Sequence, residues 1–157
     1  MVSPLLAKAA PSGREIVNVT PERAGWTHVG FRAVRLEAGA TETVATGARE
    51  LCVVVLTGSV DVTVDGTTYA NLGTRDSVFD EQSPAAVYVP GGKTVTLRGV
   101  RNAEVGLCTA PTDAQARTVR VIDPATMRRS VRGKGTNTRY VCDILPHDDP
   151  TAAHLLV

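Results

Sequence analysis

The chain has 157 residues, enough for one domain, and its 43% of apolar side chains can bury a core, which excludes a disordered polypeptide. Its 17 basic residues nearly balance 16 acidic ones, leaving a formal net charge of +1, so no overall field recruits nucleic acid or an anionic membrane. The 3 cysteines, Cys52, Cys108 and Cys142, are odd in number, far apart and set among apolar neighbours. That is the pattern of inert core thiols in a reducing compartment, not of a disulfide frame or a zinc site.

In chain order, residues 1–10 are mildly apolar, but Pro4 and Lys8 interrupt them and the stretch is too short for a signal or a spanning helix. The expectation is a cytoplasmic protein that binds no membrane. Thr20 followed by Pro21 reads as the N-cap and first position of one short helical turn over 20–24. From Gly30 onward the apolar pattern has period two, and strands are expected at 28–36, 51–56, 59–64, 85–89, 94–98 and 104–108. Val60, Val62 and Val64 alternate with Ser59, Asp61 and Thr63, which predicts a strand with one buried face. Asp65 and Gly66 then turn the chain back into Thr67, Thr68 and Tyr69, a β-hairpin. Val53, Val55, Val60, Val62 and Val64 are the expected interior residues.

Short strands at this spacing predict an all-β fold, an antiparallel sandwich or barrel with few short helices. A second short turn is expected after Asp123 and Pro124. Past Pro111 the chain becomes polar, and the basic stretch 128–139 contains Gly133 and Gly135, which disfavour a helix there. The organisation expected is a cupin-like domain over 1–112, a basic, glycine-containing connector over 113–139, and the start of a second domain over 140–157. Leu155, Leu156 and Val157 read as an unpaired apolar edge that needs a partner, which predicts a homo-oligomer joined by exchange or edge addition.

Five stretches, GWTHVGF (25–31), LCVVVLTG (51–58), GTRDSVF (73–79), VYVP (87–90) and VRGKGTNTRYV (131–141), together resemble the 5-deoxyglucuronate isomerases of myo-inositol catabolism. These are two-cupin proteins, and the resemblance covers nearly all of this chain as the N-terminal half. It implies a jelly-roll cupin fold and, for the whole family protein, an isomerase of aldose–ketose type. The reaction takes 5-deoxy-D-glucuronate, a small sugar acid, to 5-dehydro-2-deoxy-D-gluconate, with a divalent metal held by the second cupin.

A cupin metal site needs two histidines one residue apart, a carboxylate shortly after, and a third histidine on a second motif. Here Thr43, Val44, Ala45 and Thr46 stand where imidazoles would, Val95 stands at the last ligand position, and only Glu50 could serve as a ligand. No metal, no other cofactor and no catalytic residue is therefore expected in this chain. His28, His147 and His154 are scattered, and the aspartate–glutamate neighbours 80–81 and 148–149 read as solvated loops. Within the basic stretch, Arg132 and Arg139 are the candidates for holding a substrate carboxylate bidentately. The GKGT run at 133–136 lacks the earlier glycine and the flanking strand and helix of a phosphate loop. The alternative to half of an isomerase is a metal-free cupin that acts only as a binding or oligomerisation module.

Overall fold

The computed structural model describes residues 11–113 and 115–157; the apolar 1–10 stretch lies outside them. Among these residues the chain forms β1 (Glu15–Val19), α1 (Pro21–Ala24), β2 (Gly30–Leu36), β3 (Thr41–Ala45), β4 (Arg49–Thr57), β5 (Val60–Val64) and β6 (Thr67–Leu72). There follow β7 (Ala85–Val89), β8 (Thr94–Gly99), β9 (Ala103–Pro111), β10 (Arg120–Ile122), β11 (Arg128–Arg132) and β12 (Arg139–Asp143). The strands make a six-stranded sheet, β1-β2-β9-β4-β7-β10, facing a four-stranded sheet, β3-β8-β5-β6, with β11-β12 as a separate hairpin. All pairings are antiparallel. This is the cupin-like β-sandwich expected from the period-two pattern.

Alternation decides what fills the space between the sheets. Leu51, Val53 and Val55 of β4 meet Val60, Val62 and Val64 of β5, Val95 and Leu97 of β8, and Val105 and Leu107 of β9 in one buried cluster. All five valines expected inside are there. The β5–β6 hairpin turns at Asp65 (φ 46°) and Gly66 (φ 86°), two left-handed residues in succession, which suits the right-handed twist of the flanking strands.

The other face of the six-stranded sheet is buried too. Cys52 and Val54 of β4, Ala86 and Tyr88 of β7 and Ile122 of β10 lie under Met127, Ile144, Leu145 and Leu155. A strand covered on both faces needs apolar residues at every position, and the unbroken apolar run at 51–56 and AAVYV in β7 supply them. Burial pushes the Cys52 thiol well above its ordinary pKa and raises that of Cys108 to about 11, so both act as core side chains.

Two expectations change at the C-terminal end. The basic stretch is not merely a connector, since Arg128–Arg132 pairs with Arg139–Asp143 and the hairpin runs across the expected boundary at 139/140. Nor is the tail an open edge: the amides of Ile144 and Leu145 donate to the Val157 carbonyl (2.8 and 2.9 Å), and Val157 N–H returns a bond to Leu145 (3.3 Å). Leu155 is buried against the sheet. Docking on its own sandwich buries the apolar side chain and satisfies these backbone groups at once, which removes the reason for edge exchange between copies.

Candidate functional site

Three places could carry function, and strand geometry separates them. The first is the space between the sheets, where a cupin would hold a metal. Val95 is fully buried there, paired with Val44 across β3 and β8. Thr43 and Ala45, on alternate positions of β3, face solvent instead. Thr46 is buried, but its hydroxyl donates to the Pro90 carbonyl at 3.1 Å and accepts from the Lys93 amide at 2.8 Å. At the mouth of the sandwich a cleft of about 210 Å³ is walled mainly by apolar groups, with Arg32 and Arg49 among its lining residues. Both guanidinium groups are already engaged: Arg32 with Glu15 (2.8 Å) and Glu42 (2.5 Å), Arg49 with Thr109 Oγ1 (3.2 Å) and the His28 carbonyl. The donor set for a transition metal does not fit this interior.

Glu50 corrects the sequence reading most sharply, because it points out of the sandwich and not into it. It neighbours Leu51, whose side chain faces inward, so Glu50 lies on the outer face of the six-stranded sheet, fully buried under the C-terminal segment. One carboxylate oxygen accepts the amides of His154 (2.7 Å) and Leu155 (2.6 Å); the other accepts the Ala153 amide and the Tyr88 hydroxyl, each at 2.9 Å. Burial and the bond to Glu50 both raise the Tyr88 hydroxyl pKa, so Tyr88 stays a donor. Every acceptor site is filled by protein donors, and the residue is a clamp for the tail instead of a ligand.

The second place is the basic stretch. Arg132 and Arg139 are brought together as cross-strand partners at the end of the β11–β12 hairpin. Both are exposed; Arg132 forms a 3.5 Å ion pair with Asp143. Neighbouring charge is balanced as well, with Arg128 held by Asp143 (3.3 Å) and Asp148 (3.1 Å). The two candidate carboxylate ligands therefore share a hairpin end but line none of the grooves described here. His28, His147 and His154 are all exposed, and no group of three or more metal-ligating side chains forms among the described residues.

The third place went unread in the sequence. A groove of about 710 Å³ separates the 76–84 loop from the β11–β12 hairpin. Arg75 and Arg129 brace its walls. Arg75 donates to the carbonyls of Leu56 (2.8 Å) and Gln82 (3.3 Å), and Arg129 to Ser83 Oγ (3.2 Å) and the Glu81 carbonyl. Burial pulls the Arg75 pKa below its ordinary value, opposed by the nearby Asp80. Cys142 lines the groove and donates to Ser83 Oγ at 3.4 Å. Only the apolar Val78, Phe79, Val131 and Tyr140 hint at the groove in sequence, and the 50-odd residues between them hide it.

The family model described as "KduI/IolB family" matches residues 5–157. A 5-deoxy-glucuronate isomerase of Halalkalibacterium halodurans is 41% identical over 140 residues, 89% of this chain and 52% of that protein. The isomerase of the same name from Bacillus subtilis is 34% identical over 154 residues, 94% of this chain and 56% of its own length. An IolB-like protein from Salmonella typhimurium superposes with a TM-score of 0.84 at 32% identity, over 90% of this chain and 54% of that one. The chain thus spans about half the length of the curated relatives it matches.

Proposed function

The chain belongs to the KduI/IolB family, and from that premise we propose that it supplies the metal-free half of a 5-deoxyglucuronate isomerase. The full reaction, 5-deoxy-D-glucuronate to 5-dehydro-2-deoxy-D-gluconate, converts an aldose acid into a ketose acid whose ketone is at C5 counted from the carboxylate. Such an isomerisation needs a base at the carbon beside the carbonyl and an electrophile on the oxygens. One observation carries the reading: the interior position of this sandwich is filled by Val53, Val55, Val62, Val95 and Val105, which offer neither. The role left to this half is structural, presenting a rigid face to the half that holds the metal. Free thiols in all 3 cysteines agree with a cytosolic setting.

The test compares the chain alone with a chimera in which it is joined to the remaining half of the Halalkalibacterium halodurans relative. The chimera should turn over 5-deoxy-D-glucuronate, and the chain alone should show no turnover above the uncatalysed rate. Turnover by the chain alone would sink the proposal.

A further inference from the structure

Four large apolar side chains stand exposed along one groove. Phe79 is 91% exposed, Tyr140 86%, Val131 64% and Val78 48%, and all four line the space between the 76–84 loop and the β11–β12 hairpin. Apolar residues scattered singly over a surface need no explanation, whereas a contiguous set with two aromatic rings marks a contact face.

The charged groups around this groove are turned to holding its walls. Arg75 and Arg129 donate to main-chain carbonyls, and Asp80 accepts the amides of Asp76 and Ser77 at 3.0 Å each. Neither arginine forms a salt bridge among the described residues. A small sugar acid would find no convergent cation here; another protein module would find apolar faces on a braced frame.

Resting on the reading that this chain is half of an isomerase, the geometry points to this groove as the docking surface for the remaining half of the family chain. The occupant follows from length. The curated relatives carry about as much chain again as the part matched here, the matched region being 52% and 56% of two of them. Two modules of one protein bury against each other the apolar surface that either shows alone. Phe79 and Tyr140 are the anchors, and the second half supplies the apolar side chains that cover them.

The experiment is hydrogen exchange on the chain alone and on the chimera with the remaining half of the Halalkalibacterium halodurans relative, each also as Phe79→Asp and, as a control away from the groove, Val29→Asp. Phe79 and Val29 are both exposed, so neither substitution should disturb folding of the chain alone. In the chimera, amides of residues 78–82 and 131–140 should exchange about tenfold or more slowly than in the chain alone, and Phe79→Asp, not Val29→Asp, should abolish the difference. Unchanged exchange of these segments in a chimera that turns over substrate overturns the groove and leaves the functional reading standing. A chimera with neither turnover nor protection overturns both. Slow exchange in the chain alone that disappears on dilution, with a dimer seen by sedimentation, would give the groove to a second copy and overturn the occupant.

Discussion

Replacing Glu50 with alanine should lower the unfolding free energy by on the order of 3 to 5 kcal/mol, a large part of the roughly 5 to 15 kcal/mol typical of a domain. The carboxylate is fully buried and takes four donors: the amides of Ala153, His154 and Leu155 and the Tyr88 hydroxyl. Alanine would leave all four without an acceptor in a site lined by Cys52, Tyr88 and Leu155. The chain can limit the loss by releasing residues 152–157 to water, so the cost is bounded by what docking the tail contributes. Glu50→Gln separates the causes. Its carbonyl could still serve His154 and Leu155, but its NH₂ would face the Ala153 amide, donor against donor, so an intermediate loss is expected. Tyr88→Phe removes one donor and keeps the clamp, at about 1 to 2 kcal/mol. Urea unfolding gives the order, and hydrogen exchange at residues 153–155 shows the release. A Glu50→Ala protein as stable as the parent, with those amides still protected, would contradict the clamp.

Gly58→Ala should be damaging to a similar degree, on the order of 2 to 5 kcal/mol, with a fall of about 10 °C in the thermal midpoint. Gly58 carries the chain from β4 in one sheet to β5 in the other with φ +73°, and an ideal Cβ there would lie 2.0 Å from the Asn102 carbonyl oxygen and 2.8 Å from Ala103 Cα. Both obstacles are backbone, Asn102 just before β9 and Ala103 its first residue, so neither can swing aside. Gly66 is the natural control: its φ of +86° also disfavours a side chain, but nothing lies within 4 Å of its Cβ position. Gly66→Ala should therefore cost only the conformational term, about 1 kcal/mol. Equal midpoints for the two variants would show that close approach at Asn102 does not matter.

Much of the fold could be read from local pattern because the pattern is local in origin. Val60, Val62 and Val64 announce their buried face by alternation, and Asp65-Gly66 announces the turn. The caps at Thr20 and Asp123 follow from side chains that accept the amides of Arg23 and Ala125 within a few residues. β1 and β3 escaped notice because their residues are only half-buried or exposed, which leaves no apolar run. β11 escaped because its alternation is written in arginines whose partners, Asp143 and Asp148, come later in the chain. The apolar run at 51–56 predicts a strand, and its lack of alternation also requires something to cover the outer face.

That cover is the tail, and its lock is the residue whose sequence position suggested a metal ligand. Nothing near Glu50 in sequence reveals that its partners lie more than 100 residues away at Ala153, His154 and Leu155, or that alternation turns it outward while Leu51 turns in. The groove shares this difficulty, since Phe79 and Tyr140 become neighbours only once the hairpin has docked on the 76–84 loop. In both cases the long-range contact, not the residue type, decides the role.

The central claim is that the interior of this half is closed to metal by its own side chains. Elemental analysis of the purified chain after equilibrium dialysis against manganese, iron and zinc tests it most directly. The account predicts far less than one metal per chain retained after dialysis into metal-free buffer. One tightly held metal per chain, kept through that step and unaffected by the Glu50→Ala substitution, would contradict it.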